Sequence, residues 1–199
     1  MDPSDLRPAA HELAGLVRAT QDDQLHDPTP CTGMTVGALL DHIGTLAAAF
    51  TAAGRKTPSD DEGPPPEPTG EQLPARWRSE IPARLADMAA AWMDRAAWQG
   101  TARAGGVTAA APEMGTVALD ELVLHGWDLA VATGQPFHCD PASTQAVLDF
   151  TQAVAARERA GERVGLFGPV VQVPEGASRL DRALGLAGRE PEWPRPASA

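Results

Sequence analysis

The sequence predicts an all-α fold: a four-helix bundle with one long crossover, an additional C-terminal helix and an irregular tail. Three observations lead there. Apolar residues recur at helical spacing in several separate segments. Helix-boundary residues flank those segments. No alternation of strand and helix signals points to a parallel sheet. With 199 residues, 43 % of them hydrophobic, the chain can bury one real core and is short for two. A single domain over residues 1–199 is expected.

The elements follow in order. Residues 8–21 place Leu13, Leu16 and Val17 on one helical face, and Pro8 suits a first turn, where its missing N–H does no harm. A break at DDQLHDPTPCTG follows, with two prolines and a glycine. Residues 35–53 predict a second helix, with Thr35 as N-cap and an apolar stripe of Leu39, Leu40, Ile43, Leu46 and Phe50. His42 lies beside that stripe. Residues 55–70 are Pro-rich and charged, a solvated connector long enough to carry the chain from one end of a bundle to the other. Residues 71–98 predict a long third helix, with Pro74 in its first turn and a kink or break at Pro82. Residues 99–113 are small and irregular. Residues 116–133 carry the strongest helical pattern, closed by Gly134. Asp140 as N-cap and Pro141 as first helical residue open a fifth helix that runs to about 159. The remainder, 160–199, is a tail packing on the bundle: an apolar, β-prone VGLFGPVVQVP, a short helix in SRLDRALGLAG and a frayed end.

Charge narrows the partners. Sixteen basic and 27 acidic residues leave a net charge of -11, and the arginines are dispersed rather than gathered in a patch. Such a surface repels phosphate backbones and anionic membranes, so neither nucleic acid nor membrane is expected as a partner. No stretch reads as apolar enough to span a bilayer. The start, MDPSDLRPAA, lacks a secretory pattern. Two cysteines, Cys31 and Cys139, lie too far apart in sequence to suggest a disulfide framework, which fits reduced thiols in a cytoplasm.

The chemistry concentrates in Glu121 and His125. Four residues apart on a helix, they are rotated by about 40° and displaced by about 6 Å, so their side chains meet. A carboxylate oxygen and an imidazole nitrogen suit Zn²⁺, and also Ni²⁺, Fe²⁺ or Mn²⁺. A third donor must come from another helix, and His42 is the best placed. Two histidines and one glutamate leave coordination positions open, as catalytic sites do. Taken alone, an i,i+4 Glu–His pair is commonly a solvated surface contact, and a lone histidine commonly a satisfied core residue. Here the surrounding Leu119, Leu122, Val123, Leu124 and Trp127 argue for burial, and a buried Glu or His needs a partner. Asp128 either orients His125 from behind or caps at the surface. Cys31 is either a reactive thiol near a helix N-terminus or a small buried hydrophobe. His138 beside Cys139 is either a ligand pair or local structure. His11 and His26 read as weak candidates, and Arg76 and Arg95 as anion binders or solvent-facing charges. GxSxG, Walker, GxGxxG and CxxC patterns are all absent.

Two blocks resemble a known family. TPCTGMTVGALLDHIGTL is similar to the N-terminal signature of the mycothiol-dependent maleylpyruvate isomerase-like proteins of the DinB-like superfamily, and DELVLHGWDLAVATG to their second signature. GLFGPVVQVPEGASRLDRALGLAGREPEW resembles the C-terminal block of an actinobacterial stand-alone subgroup of metal-binding members. The resemblance implies a DinB-like four-helix bundle, metal ligands at His42, Glu121 and His125, zinc as the commonest metal, and a low-molecular-weight thiol such as mycothiol as co-substrate. The chain departs from the isomerases in two ways. Met34 stands where they usually carry tryptophan, and a short tail follows the fifth helix where the full-length isomerases carry a second domain. Maleylpyruvate itself is therefore not the expected substrate.

Two functional readings follow. One is a metal-dependent transferase or isomerase that uses a mycothiol-type thiol on a small electrophile, with His42, Glu121 and His125 acting through the metal and Asp128 behind them. The other is a non-catalytic, metal-stabilised bundle that binds a small molecule as a sensor or resistance protein. Either could be a monomer or a homodimer.

Overall fold

The computed structural model describes residues 5–57, 67–71, 73–159 and 166–194. Much of the expected connector, and parts of the expected tail at 160–165 and 195–199, lie outside the described residues. Among the described residues six helices make up the fold: α1 Arg7–Ala19, α2 Val36–Gly54, α3 Trp77–Ala91, α4 Ala111–Thr133, α5 Pro141–Arg159 and α6 Arg179–Leu186. The first four form the bundle. Both α1 and α2 pack against α3 and α4, while α5 lies on the outside of α4 and carries α6. The all-α architecture matches the sequence reading.

Several boundaries are set by the residues the sequence suggested. Thr35 caps α2, its hydroxyl accepting from the Ala38 N–H at 3.2 Å. Asp140 caps α5, one carboxylate oxygen accepting from the N–H groups of Ala142 and Ser143 at 3.0 Å. Gly134 ends α4 in the left-handed conformation that glycine adopts most easily, at φ 72°. The C-terminal carbonyls of α1 are claimed by its neighbours. Arg78 donates to Thr20 O, and Gln135 donates to Leu16 O at 3.1 Å. These bonds fix α1 against α3 and the end of α4, satisfying groups that a helix terminus otherwise leaves orphaned.

The third helix corrects the expectation of one long element over 71–98. It spans Trp77–Ala91, excludes Pro74 and runs through Pro82 without a break; a separate 3₁₀ turn follows at Arg95–Trp98. Tertiary hydrogen bonds account for the early stop. The Trp92 indole donates to Phe50 O at 2.9 Å and the Trp98 indole to Trp92 O at 2.8 Å, while Asp94 caps the turn. The two indoles meet edge to face at 5.1 Å between ring centres.

The irregular stretch expected at 99–113 is instead a β-hairpin, β1 Thr101–Ala104 and β2 Val107–Ala110, pairing Thr101 with Ala110 and Ala104 with Val107. Its loop is Gly105-Gly106, with φ of 56° and 79°. Two successive positive φ angles define the tight hairpin turn that suits the twist of paired strands. The hairpin delivers the chain directly into α4, which starts at Ala111, five residues before the expected start at 116. The β-prone piece of the tail forms no strand among its described residues. It packs on α6 instead, Val171 N–H donating to Gly185 O at 2.8 Å.

Helix α2 is long and apolar enough to cross a membrane, contrary to the expectation that no stretch would be. Its apolar residues face protein here: Val36, Leu39, Leu40, Ile43, Ala47 and Phe50 are all buried in the bundle core. A core helix passes the same length test as a membrane span.

Where α4 crosses the two tryptophans there is no room for a side chain at Gly115. A Cβ added at Gly115 would stand 2.5 Å from a Trp98 ring carbon and 2.8 Å from one of Trp92. Gly115→Ala should therefore lower stability by about 1–3 kcal/mol, the usual cost of overpacking a core, as measured by urea unfolding.

Candidate metal centre

The site is assembled by α2 and α4. Helical spacing stacks Glu121 and His125 one turn apart on α4, and the α2–α4 packing brings His42 to face them. His125 Nε2 lies 2.9 Å from Glu121 Oε2, and His42 Nε2 lies 3.9 Å from the same oxygen. The two imidazoles meet edge to face, their centres 4.9 Å apart. One donor atom from each of the three residues falls within 4.8 Å of the others. Donor atoms around a tetrahedral ion with bonds of about 2.0–2.1 Å stand roughly 3.4 Å apart, and the 2.9 Å and 3.9 Å separations bracket that spacing, so the set fits a divalent ion after small side-chain shifts.

Behind the donors runs a chain of buried charge. Asp128 is fully buried. Its Oδ2 lies 3.0 Å from His125 Nδ1 and accepts from Arg189 Nη2 at 3.0 Å. A carboxylate can only accept, so Nδ1 carries the hydrogen and Nε2 is the atom turned toward Glu121 and His42. Arg189 follows α6 and also donates to Ala187 O at 2.9 Å. Gly188 makes this approach possible. It sits at φ 76°, and a Cβ there would come within 3.0 Å of the Gly168 backbone.

The titration of these groups follows from their partners. Burial opposes a charged His125, but the hydrogen bonds to Asp128 and Glu121 outweigh it and raise its pKa to about 9. Burial and the neighbouring charge of His125 push His42 down to about 4. Burial alone would raise Glu121 and Asp128. For Glu121 the bond to His125 prevails, and for Asp128 the bond to His125 and the charge of Arg189, so both stay below the usual carboxylate range.

The donors open onto a cavity of about 380 Å³. Cys31, Met34 and Asp120 line it together with Leu166 and Phe167 of the tail. Cys31 is half-buried, its Sγ 3.9 Å from Arg189 Nη2. Burial and the charge of Asp128 push its thiol up to about 11, so it is a neutral thiol near pH 7 rather than a reactive one.

The remaining candidates do not join this cluster. Among the described residues, the groups able to hold a metal are His42–Glu121–His125 and Cys31–His125–Asp128, and both rest on His125. His138 is exposed and pairs with Glu12, 3.5 Å away, rather than with Cys139. His11, Arg76 and Arg95 are exposed, and His26 sits at the end of a 3₁₀ turn. Sequence reasoning missed Arg189 and Asp120. Arg189 lies 61 positions beyond the carboxylate it pairs with, and no local pattern announces that contact. Asp120 was overlooked beside the more conspicuous Glu121.

Two expectations can be checked on the metal-free protein. His125 has its folded pKa raised above the ordinary 6.5, so its stabilising contribution is complete below about 6.5 and is lost as pH rises through 9. His42 has its pKa lowered, so its contribution is complete above about 6.5 and is lost as pH falls through 4. The melting temperature should peak near pH 6–7, and the alkaline decline should flatten in His125→Gln. Arg189→Ala leaves Asp128 buried with one partner fewer and should cost about 3 kcal/mol in denaturant unfolding.

The model of the mycothiol maleylpyruvate isomerase N-terminal domain family matches residues 6–130, which hold α1 to α4 nearly complete and all three donors. Neither a curated protein nor a solved structure matches the chain. With the family match covering more than half of the sequence, the chain belongs to the mycothiol maleylpyruvate isomerase N-terminal domain family.

Proposed function

We propose that this protein is a metal-dependent enzyme that joins a low-molecular-weight thiol of the mycothiol type to a small electrophile, or isomerises the electrophile through such a thiol, in the cytoplasm. The observation that carries the reading is the convergence of His42, Glu121 and His125 at the edge of a cavity large enough for a small molecule. The family match supplies the thiol, since the family's own name contains one.

His42, Glu121 and His125 are the residues that would hold the metal; this nitrogen and oxygen set suits zinc, nickel, iron or manganese, and the family resemblance favours zinc. A divalent ion bound there would supply Lewis acidity and lower the pKa of a thiol that reaches it. The protein's own groups do the rest. His42 is already neutral at pH 7 and presents Nε2 as a ready donor. His125 must release its Nε2 proton to become one, so metal uptake should tighten as pH rises toward 9. Asp128 keeps the hydrogen on Nδ1 and so fixes the ring with Nε2 facing the site. Arg189 gives the buried charge of Asp128 a second partner, opposite in sign. The neutral Cys31 thiol is a poor nucleophile, which favours a thiol brought in from outside as the attacking group.

The test is elemental analysis of untagged protein beside His42→Ala and His125→Ala. About one transition metal per chain is expected in the wild type and none in either variant. The zinc-loaded wild type should then consume a small electrophile only when a thiol is supplied. Full metal content in both variants would overturn the site, and thiol-independent turnover would overturn the proposed chemistry.

A further inference from the structure

One buried group in the cavity has no assigned role. Asp120 is 3 % exposed, stands next to Glu121 on α4 and lines the same cavity as the three donors. Its Oδ1 is shut off from solvent and has no hydrogen-bond partner among the described residues. The other two carboxylates of the site are paired. Asp128 accepts from His125 and Arg189, and Glu121 lies 2.9 Å from His125. Leaving a buried acceptor unpaired costs free energy comparable to a lost hydrogen bond, and folded proteins keep few such groups without a use. Arg189, whose charge is felt at Asp120, directs its hydrogen bonds to Asp128, Ala187 O and Cys31 Sγ rather than to Asp120. The cavity that Asp120 lines is the route by which a further donor can reach its carboxyl.

We infer that Asp120 is the polar anchor of the cavity, accepting a hydrogen bond from a hydroxyl or amino group on the molecule that occupies it. The assignment rests on the thiol reading above and deepens it. The thiol that enters carries a donor group a few atoms from its sulfur. Asp120 selects such thiols over plain alkyl thiols of the same length. A two-fold turn of the carboxyl exchanges its oxygens, so either can face the ligand. Because Asp120 waits for a ligand, it should add nothing to the stability of the empty fold. Replacing an unpaired buried carboxyl with an apolar group of similar size is neutral or stabilising.

The test uses 2-mercaptoethanol and 1-propanethiol, which match in length and differ in a terminal hydroxyl or methyl. Both are titrated by calorimetry into zinc-loaded wild type, Asp120→Leu and Asp120→Asn. The affinity ratio of the hydroxyl thiol to the alkyl thiol should fall about tenfold in Asp120→Leu, the loss of one hydrogen bond, and survive in Asp120→Asn, which keeps an acceptor oxygen. Metal-free Asp120→Leu should melt at or above the wild-type temperature, and both variants should keep their full zinc content. An unchanged ratio in all three proteins would overturn this assignment alone. So would a lowered melting temperature in Asp120→Leu, which would make Asp120 structural, or a loss of zinc, which would make it a ligand. Failure of the zinc-loaded wild type to take up either thiol would overturn the thiol reading and this assignment together.

Discussion

The carboxylate of Asp128 governs the site. A negative charge buried on every side is tolerated only if opposite charge and hydrogen bonds surround it. Asp128 has two such partners, and each serves a different part of the molecule. His125 gives the carboxylate its link to the donor cluster. Arg189 gives it a link to the segment that follows α6. The same requirement that keeps Asp128 ionised also locks the tautomer and tilt of His125, which decides which ring nitrogen faces His42 and Glu121. Fixing one charge thus orders His125, the segment carrying Arg189 and one wall of the cavity.

The bundle supplies what this interaction needs. Leu39, Leu40 and Ile43 on α2 and Leu119, Leu122 and Val123 on α4 are buried in one core. That packing holds the backbones on which His42 and His125 stand, so the distances between donors reflect rigid elements rather than loops. The carbonyls at the end of α1 are satisfied by Arg78 and Gln135, which ties the first helix to the third and to the residues just past α4. The tryptophan pair and the hairpin occupy the stretch between α3 and α4, away from the donors, and set where α4 begins.

What could be read in the sequence follows physical range. Helix caps are local, so Thr35, Gly134 and Asp140 were legible from residue type alone. The Glu121–His125 pair and its neighbour Asp128 were legible because helical spacing alone brings residues three and four apart together. Where α3 ends was not legible, because it depends on indole hydrogen bonds to Phe50 O and Trp92 O that only the tertiary fold creates. The hairpin left one visible sign, the paired glycines at 105 and 106. Its strands, TARA and VTAA, are short and rich in alanine, which carries little strand preference. Arg189 was hidden for the opposite reason. Its meaning lies entirely in a contact across 61 residues.

That contact separates two kinds of boundary. The stretch matched by the family ends at residue 130, yet the second counter-charge of Asp128 sits at 189, well past it. Ancestry and electrostatics therefore draw different edges around the same bundle. The unit that is inherited as a module stops short of the unit that is neutral in its interior. Without a cation at 189 this chain would have to solve the same problem by letting water reach Asp128 or by giving up its charge. The part of this chain that looks like an appendage to the bundle thus carries one of its electrical duties.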